Sequence, residues 1–349
     1  MTNNSARLGD LATYINGYAF KPTDWGDCGI PIIRIQDLTG NSYQSNRYSG
    51  DYPSKIEVNN GDVLISWSAS LGIYVWQQGK ALLNQHIFKV VFDKLPIDKD
   101  YFVFAVEHKL SEMEAMTHGA TMKHIVKRDF DSTVIPYPTM EKQVQIADKL
   151  RKVTCLIAMQ KKQLFLLDQL VKSRFIELFG GVEAEDTLQN LCIFIDYRGK
   201  TPEKVESGLP FITAKNIKMH RMSFDTLEYI SKETYDRVMT RGFPQIGDVV
   251  FTTEAPLGNV CRIPFIETEF YIGQRIITMQ TERLEPAYLE YALSSDEFKR
   301  KITEKSSGST VTGIRSKLLE QLTIPVPPKT LQEQFAAFVE QVDKSKFAA

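Results

Sequence analysis

Short runs of β-branched and aromatic residues, each introduced by a turn-forming pair, recur along the chain and predict strands. GDVLIS (61–66), NQHIFKVVF (84–92), GDVVFT (247–252) and GQRIITMQ (273–280) are the clearest. Apolar residues at a helical period instead predict helices over 101–116 and 286–304, each leading into a Gly- and Ser/Thr-rich turn. IPYP (135–138) and IPVP (324–327) are predicted extended, because a proline pushes the residue before it out of the helical region. A mixture of sheet and helix follows.

One segment departs from this pattern. From Thr139 to about Phe179 the chain has neither proline nor glycine, and helix formers dominate. Apolar residues there follow a 4-3 alternation at Ile146, Leu150, Val153, Ile157, Leu164, Leu167, Val171 and Leu178, interrupted by Gln160 and Arg174. The prediction is a coiled-coil helix of roughly 60 Å at about 1.5 Å per residue, near two turns of a DNA duplex at roughly 34–36 Å each. Gly180-Gly181 is expected to end it in a left-handed cap. A second helix is expected from Thr330, with Phe335, Val339 and Val342 on one face, reaching about half that length by Ala349. MEKQ (140–143) and LQEQ (331–334) start the two helices alike, and the pair can lie antiparallel inside one chain. Residues 141–178 hold eight Lys or Arg against four acids, a local excess that reads either as solvated helix surface or as a basic rod along phosphates.

Compared with itself, the chain repeats. GIPIIRIQDL (29–38), NGDVLISWSASLG (60–72), NQHIFKVV (84–91), GATMKHI (119–125) and IPYP return in order as GLPFITAKNI (208–217), IGDVVFTTEAPLG (246–258), GQRIITMQ (273–280), GSTVTGI (308–314) and IPVP. The offset is 179 residues at the first block, 186 at the second and 189 at the last three. So long a period means whole domains: 1–139 and 181–329, followed by helices at 140–180 and 330–349. The expected fold class is α/β (α+β), two similar mixed sheet/helix domains separated by long coiled-coil helices with a pseudo-twofold relation.

Composition narrows the function classes. The 349 residues, 43% apolar and 24% charged, suit about two globular domains and exclude disorder. No stretch of apolar residues is long enough to span a membrane and the N-terminus lacks a signal layout, so a cytoplasmic protein is expected. Cys28, Cys155, Cys192 and Cys261 lie far apart and read as reduced, mostly buried thiols. The net charge of -1 means that any DNA contact rests on local charge.

These blocks, the IP-x-P steps and the (E/Q)-x-Q segments at 141–143 and 332–334 together resemble the specificity (S) subunit of Type I restriction-modification systems, over essentially the whole chain. The resemblance implies two target-recognition domains, each reading one half of a bipartite site in double-stranded DNA. It also implies helices that act as a ruler and as the docking platform for two methyltransferase (M) subunits, and through them for an ATP-driven restriction (R) subunit. A second helix of about twenty residues is shorter than is usual in that family. Docking is expected at Ile146, Leu150, Val153, Ile157, Leu164, Leu167, Val171, Phe335, Val339 and Val342.

No catalysis is expected of the chain itself. The only Pro-Pro, Pro327-Pro328, lies between valine and lysine and does not form the loop of an adenine methyltransferase. Gly199-Lys200-Thr201 lacks the first glycine of a phosphate loop, since position 194 is Phe. Asp98, Glu107 and Lys109 have nuclease-like spacing but read as helix surface. The five histidines, 86, 108, 118, 124 and 220, show no metal spacing, so no metal and no cofactor is expected here, with S-adenosylmethionine and ATP confined to partner subunits. A protein-interaction scaffold and a standalone modification or cleavage enzyme are the alternatives.

Base readout favours Arg or Lys toward guanine and Asn or Gln toward adenine, with hydroxyls on phosphate. Positions equivalent in the halves but chemically different are the candidates. They are Arg34 and Gln36 opposite Thr213, Lys215 and Asn216; Ser66, Ser68 and Ser70 opposite Thr252, Thr253 and Glu254; and Thr121, Lys123 and His124 opposite Thr310, Thr312, Gly313 and Arg315. Gln85 and Gln274, shared by both halves, read either as contacts or as buried amides holding a turn, and Trp76 reads as core.

Overall fold

The computed structural model describes residues 5–41, 46–116, 127–197, 199, 202–273, 275–306 and 313–348, and the chain divides into two compact units, Met1–Ala158 and Met159–Ala349.

In the first unit the chain enters through β1 (Ser5–Arg7), which pairs antiparallel with the last strand, β10 (Val134–Pro136). Strands β2 (Thr13–Asn16), β6 (Val63–Ser66), β7 (Gly72–Val75) and β9 (Ile87–Val91) form a sheet in the order β2-β9-β6-β7. A second sheet, β4-β3-β8-β5, uses β3 (Ile30–Ile33), β4 (Arg47–Tyr48), β5 (Glu57–Val58) and β8 (Ala81–Leu83), with β3 and β8 parallel. The helices are α1 (Leu8–Leu11), α2 (Ile35–Leu38), α3 (Lys99–Met116) and α4 (Lys127–Ser132). Burial of Val63, Ile65, Phe88, Phe102 and Phe130 packs the first sheet against α3 and α4.

The second unit repeats this plan. β11 (Glu185–Thr187) pairs with the final strand, β21 (Thr323–Pro325). β12 (Ile193–Asp196), β17 (Val249–Thr252), β18 (Val260–Arg262) and β20 (Ile276–Gln280) are ordered β12-β20-β17-β18, matching β2-β9-β6-β7. β13 (Leu209–Ile212) runs parallel to β19 (Tyr271–Ile272), as β3 does to β8, and antiparallel to β16 (Glu228–Ile230). The hairpin of β14 (Ile217–Lys218) and β15 (Arg221–Met222) has no counterpart strand pair in the first unit's described residues. Positive φ angles fall at the repeat offsets: Gly29 and Gly208, Gly61 and Gly247, Ala69 and Ala255, His86 and Arg275.

α5 (Met140–Phe179) is the predicted long helix, and after α6 (Leu188–Leu191), α7 (Lys232–Val238) and the helices of the second unit's middle comes α11 (Lys329–Ala348). The helix predicted over 286–304 is two: α8 (Pro286–Ser294) and α9 (Asp296–Lys305). Ser295 between them is extended and its hydroxyl accepts from Phe298 N, so a serine cap restarts the helix where the apolar period alone ran through. α10 (Ser316–Glu320) precedes β21. Gly180 and Gly181 are not in the left-handed region, contrary to the expected cap; a Cβ at 180 would stand 2.7 Å from the Ile176 carbonyl oxygen, which explains the glycine sterically.

The coiled-coil expectation is met only in part. Val171 and Phe179 of α5 are buried with Phe335, Val339 and Val342 of α11, and Leu167, Phe175 and Leu178 pack against them. Phe335 lies against Phe175 and Phe179 while Lys346 pairs with Asp168, so the helices run antiparallel. Leu150, Val153, Ile157 and Leu164 are exposed. The helix starts are aligned differently from the sequence comparison. Gln143 accepts from Asp98 N and donates to Pro138 O, both at 2.9 Å; Gln332 does the same with Glu285 N and Pro327 O, again at 2.9 Å. Gln143 therefore corresponds to Gln332 rather than Gln334.

Candidate nucleic-acid interface

Strand direction decides which loops meet. In the first unit Ile33 stands opposite Leu83 in the parallel pair, so β3 and β8 end at the same edge, and Asn84 N donates to Ile33 O at 3.2 Å. The chain then turns through Gln85 and His86 into β9, which lies antiparallel to β6, placing the start of β9 against the end of β6. There Trp67 N donates to His86 O at 3.2 Å. One rim thus holds the exit of β3, the turn after β6 and the turn between β8 and β9. A site built at the carboxyl ends of parallel strands is a recurrent device in open sheets.

The second unit has the same rim. Gly273 N donates to Ile212 O at 2.8 Å, and Thr253 N to Arg275 O at 2.8 Å. Gly313 bridges to Glu254, and Ile314 N donates to Thr253 O at 3.0 Å, which brings in the end of the third predicted block. The rim therefore gathers residues far apart in sequence.

Several predicted contact residues turn out to support the rim from inside. Ser66 is buried and its hydroxyl donates to Ser70 O; Thr252 is buried and donates to Pro256 O at 2.6 Å. Thr253 is buried as well. Asn216 is buried, its Oδ1 accepting from Thr213 N and Oγ1, its amide donating to Ser223 O and Thr226 O. These four correct the surface expectation, because a polar group out of water must be satisfied internally, as the side chains of Ser66, Thr252 and Asn216 are. Arg34 keeps only 16% of its side chain exposed; it pairs with Asp37 at 3.8 Å, and its guanidinium lies 5.5 Å from the Trp25 ring centre. Gln36 and Ser68 are half-buried, while Lys215 and Arg315 are exposed. Thr121, Lys123, His124, Thr310 and Thr312 lie outside the described residues, as do Gln274, Lys200 and Thr201.

Two rim residues were missed by the sequence reading. His86 (φ 71°) and Arg275 (φ 69°) occupy the same left-handed position in the two units. His86 packs its ring edge-on to Trp67, and Arg275 Nε pairs with Glu254 Oε1 at 2.9 Å. The available signal was a change from His to Arg after a shared Gln at the head of a repeated strand. Gln85, left open between contact and buried amide, is exposed, and Trp76 is buried with its indole N–H donated to Gly79 O at 2.6 Å. Among the docking candidates, Val171, Phe335, Val339 and Val342 are corrected to intramolecular core, and Leu167 packs against that core.

Asp98, of the nuclease-like trio, accepts from Tyr101 N at the start of α3, a capping role. Among the described residues no group of three or more His, Cys, Asp or Glu is placed to hold a metal, and no helix is long and apolar enough to cross a membrane.

Similarity to known proteins agrees with the duplication of the chain. The family model for the Type I restriction modification DNA specificity domain matches twice, over residues 2–167 and 193–348. The chain is 24% identical to the Type I restriction enzyme EcoBI specificity subunit of Escherichia coli, covering 96% of this chain and 78% of that protein. It is 23% identical to the MjaVIII specificity subunit of Methanocaldococcus jannaschii, covering 97% and 85%. The crystal structure of an S subunit from M. genitalium superposes with a TM-score of 0.60 at 15% identity, over 100% of this chain and 92% of that one. A second structure, from work on assembly and conformational transition of the type I R-M system, gives 0.51 at 17% identity over 99% and 90%. On the two family matches, which together take in most of its length, this chain belongs to the Type I restriction modification DNA specificity family.

Proposed function

We propose that the chain is the non-catalytic DNA-recognition subunit of a Type I restriction-modification assembly. Each unit reads one half of a bipartite duplex site, and α5 sets the gap between the two reads. The observation carrying this reading is the same rim of strand ends built twice in one chain with different side chains on it: His86 in one, Arg275 with Glu254 in the other. A duplicated scaffold that keeps its backbone and changes its rim chemistry suits the reading of two unlike half-sites. Methyl transfer, with its S-adenosylmethionine, falls to M subunits, which flip the target adenine, and ATP-driven cleavage to an R subunit. The exposed apolar residues Leu150, Val153, Ile157 and Leu164 of α5 are the surface offered to the M subunits, since contiguous exposed apolar area marks a partner site.

The test is duplex binding as a function of salt, together with copurification of the methyltransferase. A DNA reader loses affinity as a power of salt concentration, about tenfold or more between 50 and 200 mM when several phosphates are contacted. Salt-independent binding, or binding to proteins with no affinity for duplex, contradicts the proposal and favours the scaffold.

A further inference from the structure

We infer that His86 and Arg275 are specificity-determining residues, each selecting a base in the half-site that its own unit reads. The inference rests on the proposed DNA-reading function and deepens it to named side chains.

Position is the first ground. The turn between β8 and β9 lies between the exit of β3 and the turn after β6, tied to one by Asn84 N to Ile33 O and to the other by Trp67 N to His86 O. In the second unit Gly273 N to Ile212 O and Thr253 N to Arg275 O tie the equivalent turn in the same way. His86 and Arg275 thus stand at the centre of each rim, whereas Ser66, Thr252, Thr253 and Asn216 face inward beneath it.

Backbone is the second. A non-glycine residue at positive φ is uncommon, for arginine more so than for histidine. Both units nevertheless hold a bulky polar residue in the left-handed region at this one position, at an offset of 189 residues. Glycine would adopt the conformation without strain. A side chain other than glycine in both copies, and of different chemistry in each, suits a position whose chemistry is set separately for each half-site.

Chemistry is the third. Arg275 keeps 54% of its side chain exposed, and its Nε pairs with Glu254 Oε1 at 2.9 Å. A guanidinium presented this way matches the O6 and N7 acceptors of guanine. Exposed pairs of this kind add little stability, so Glu254 acts as a positioning residue rather than a structural tie. His86, half-buried and edge-on to Trp67 at 5.0 Å between ring centres, has its Nδ1 out of water, so it presents at most one ring nitrogen to a base. The two units are therefore expected to select different bases.

The experiment uses the full chain in the assembly in which it purifies, with selection of bound duplexes from a randomised DNA library followed by sequencing. Variants are His86→Asn and Arg275→Asn, since asparagine tolerates the left-handed backbone, and the exchanges His86→Arg and Arg275→His. The expected result is that Arg275→Asn relaxes preference at one base position in one half-site by roughly 5- to 150-fold while the other half-site is unchanged. His86→Asn does the reverse. Unchanged preferences, or a uniform loss across all sequences as for a phosphate contact, overturn the inference. Circular dichroism guards against unfolding, and Arg275→Gly, which suits the backbone at least as well, must relax the same position or the inference fails. A wild-type chain that selects no sequence at all overturns the functional reading itself, a result distinct from a wild type that selects a bipartite site which the variants leave unaltered.

Discussion

Gln143 and Gln332 illustrate how single side chains hold the plan together. Each amide is buried, accepts from the backbone N–H just before a helix of its unit and donates to the last proline carbonyl of an IP-x-P step. Replacing Gln332 with leucine leaves Glu285 N and Pro327 O without their partner, and loss of about 1–3 kcal/mol of stability is expected in chemical denaturation of the chain. The thiols supply a second check at this scale. Burial pushes Cys192 and Cys261 up to about 12, whereas Cys28 and Cys155 are exposed, which corrects the expectation of mostly buried thiols. At pH 8 a thiol reagent should modify two cysteines in the native chain and four after unfolding, because a thiol that stays protonated and buried is inert. Reaction of all four in the native state would contradict this packing.

At the scale of elements, regular pattern was legible and tertiary compensation was not. Strands at 63–66 and 249–252, the helix from 140 to 179 and the extended proline steps follow from local rules, since period and proline act through the backbone itself. The interior role of Ser66, Thr252 and Asn216 was not legible: a hydroxyl in a turn reads alike whether it faces water or a carbonyl four residues on. Nor was the charged tie between the second unit's sheet and α11. Glu290 of α8, only 2% exposed, accepts from Arg262 Nε at 2.6 Å and pairs with His220 Nδ1 at 2.9 Å, while Arg262 reaches Asp343 of α11 at 3.3 Å. Its members come from four places in the chain, so no spacing announces it. Arg262→Met leaves the buried Glu290 carboxylate with His220 as its remaining charged partner and is expected to cost about 3 kcal/mol, read as a lower denaturation midpoint for the second unit. An unchanged midpoint would show that α11 is held by Phe335, Val339 and Val342 alone.

For the molecule as a whole, the duplication was the most legible feature because it lies in the order of blocks rather than in any one residue. Separate clusters, such as Leu8, Phe88 and Phe130 in the first unit and Phe251, Tyr288 and Phe335 in the second, give each unit its own buried core. The rims were half legible. Sequence pointed to the loops after β3 and β6, but the central turn emerged only when parallel pairing set the ends of β3 and β8, and of β13 and β19, side by side. Under the proposed function, two half-site readers in one chain, joined through α5, make a specific demand on the DNA. Sequencing of methylated adenines in the host genome, with and without this chain, tests it most directly. The account predicts methylation confined to sites made of two short specified blocks split by an unspecified gap of constant length, and lost when the chain is removed. Methylation at single contiguous sites, or at sites that persist without the chain, would contradict it.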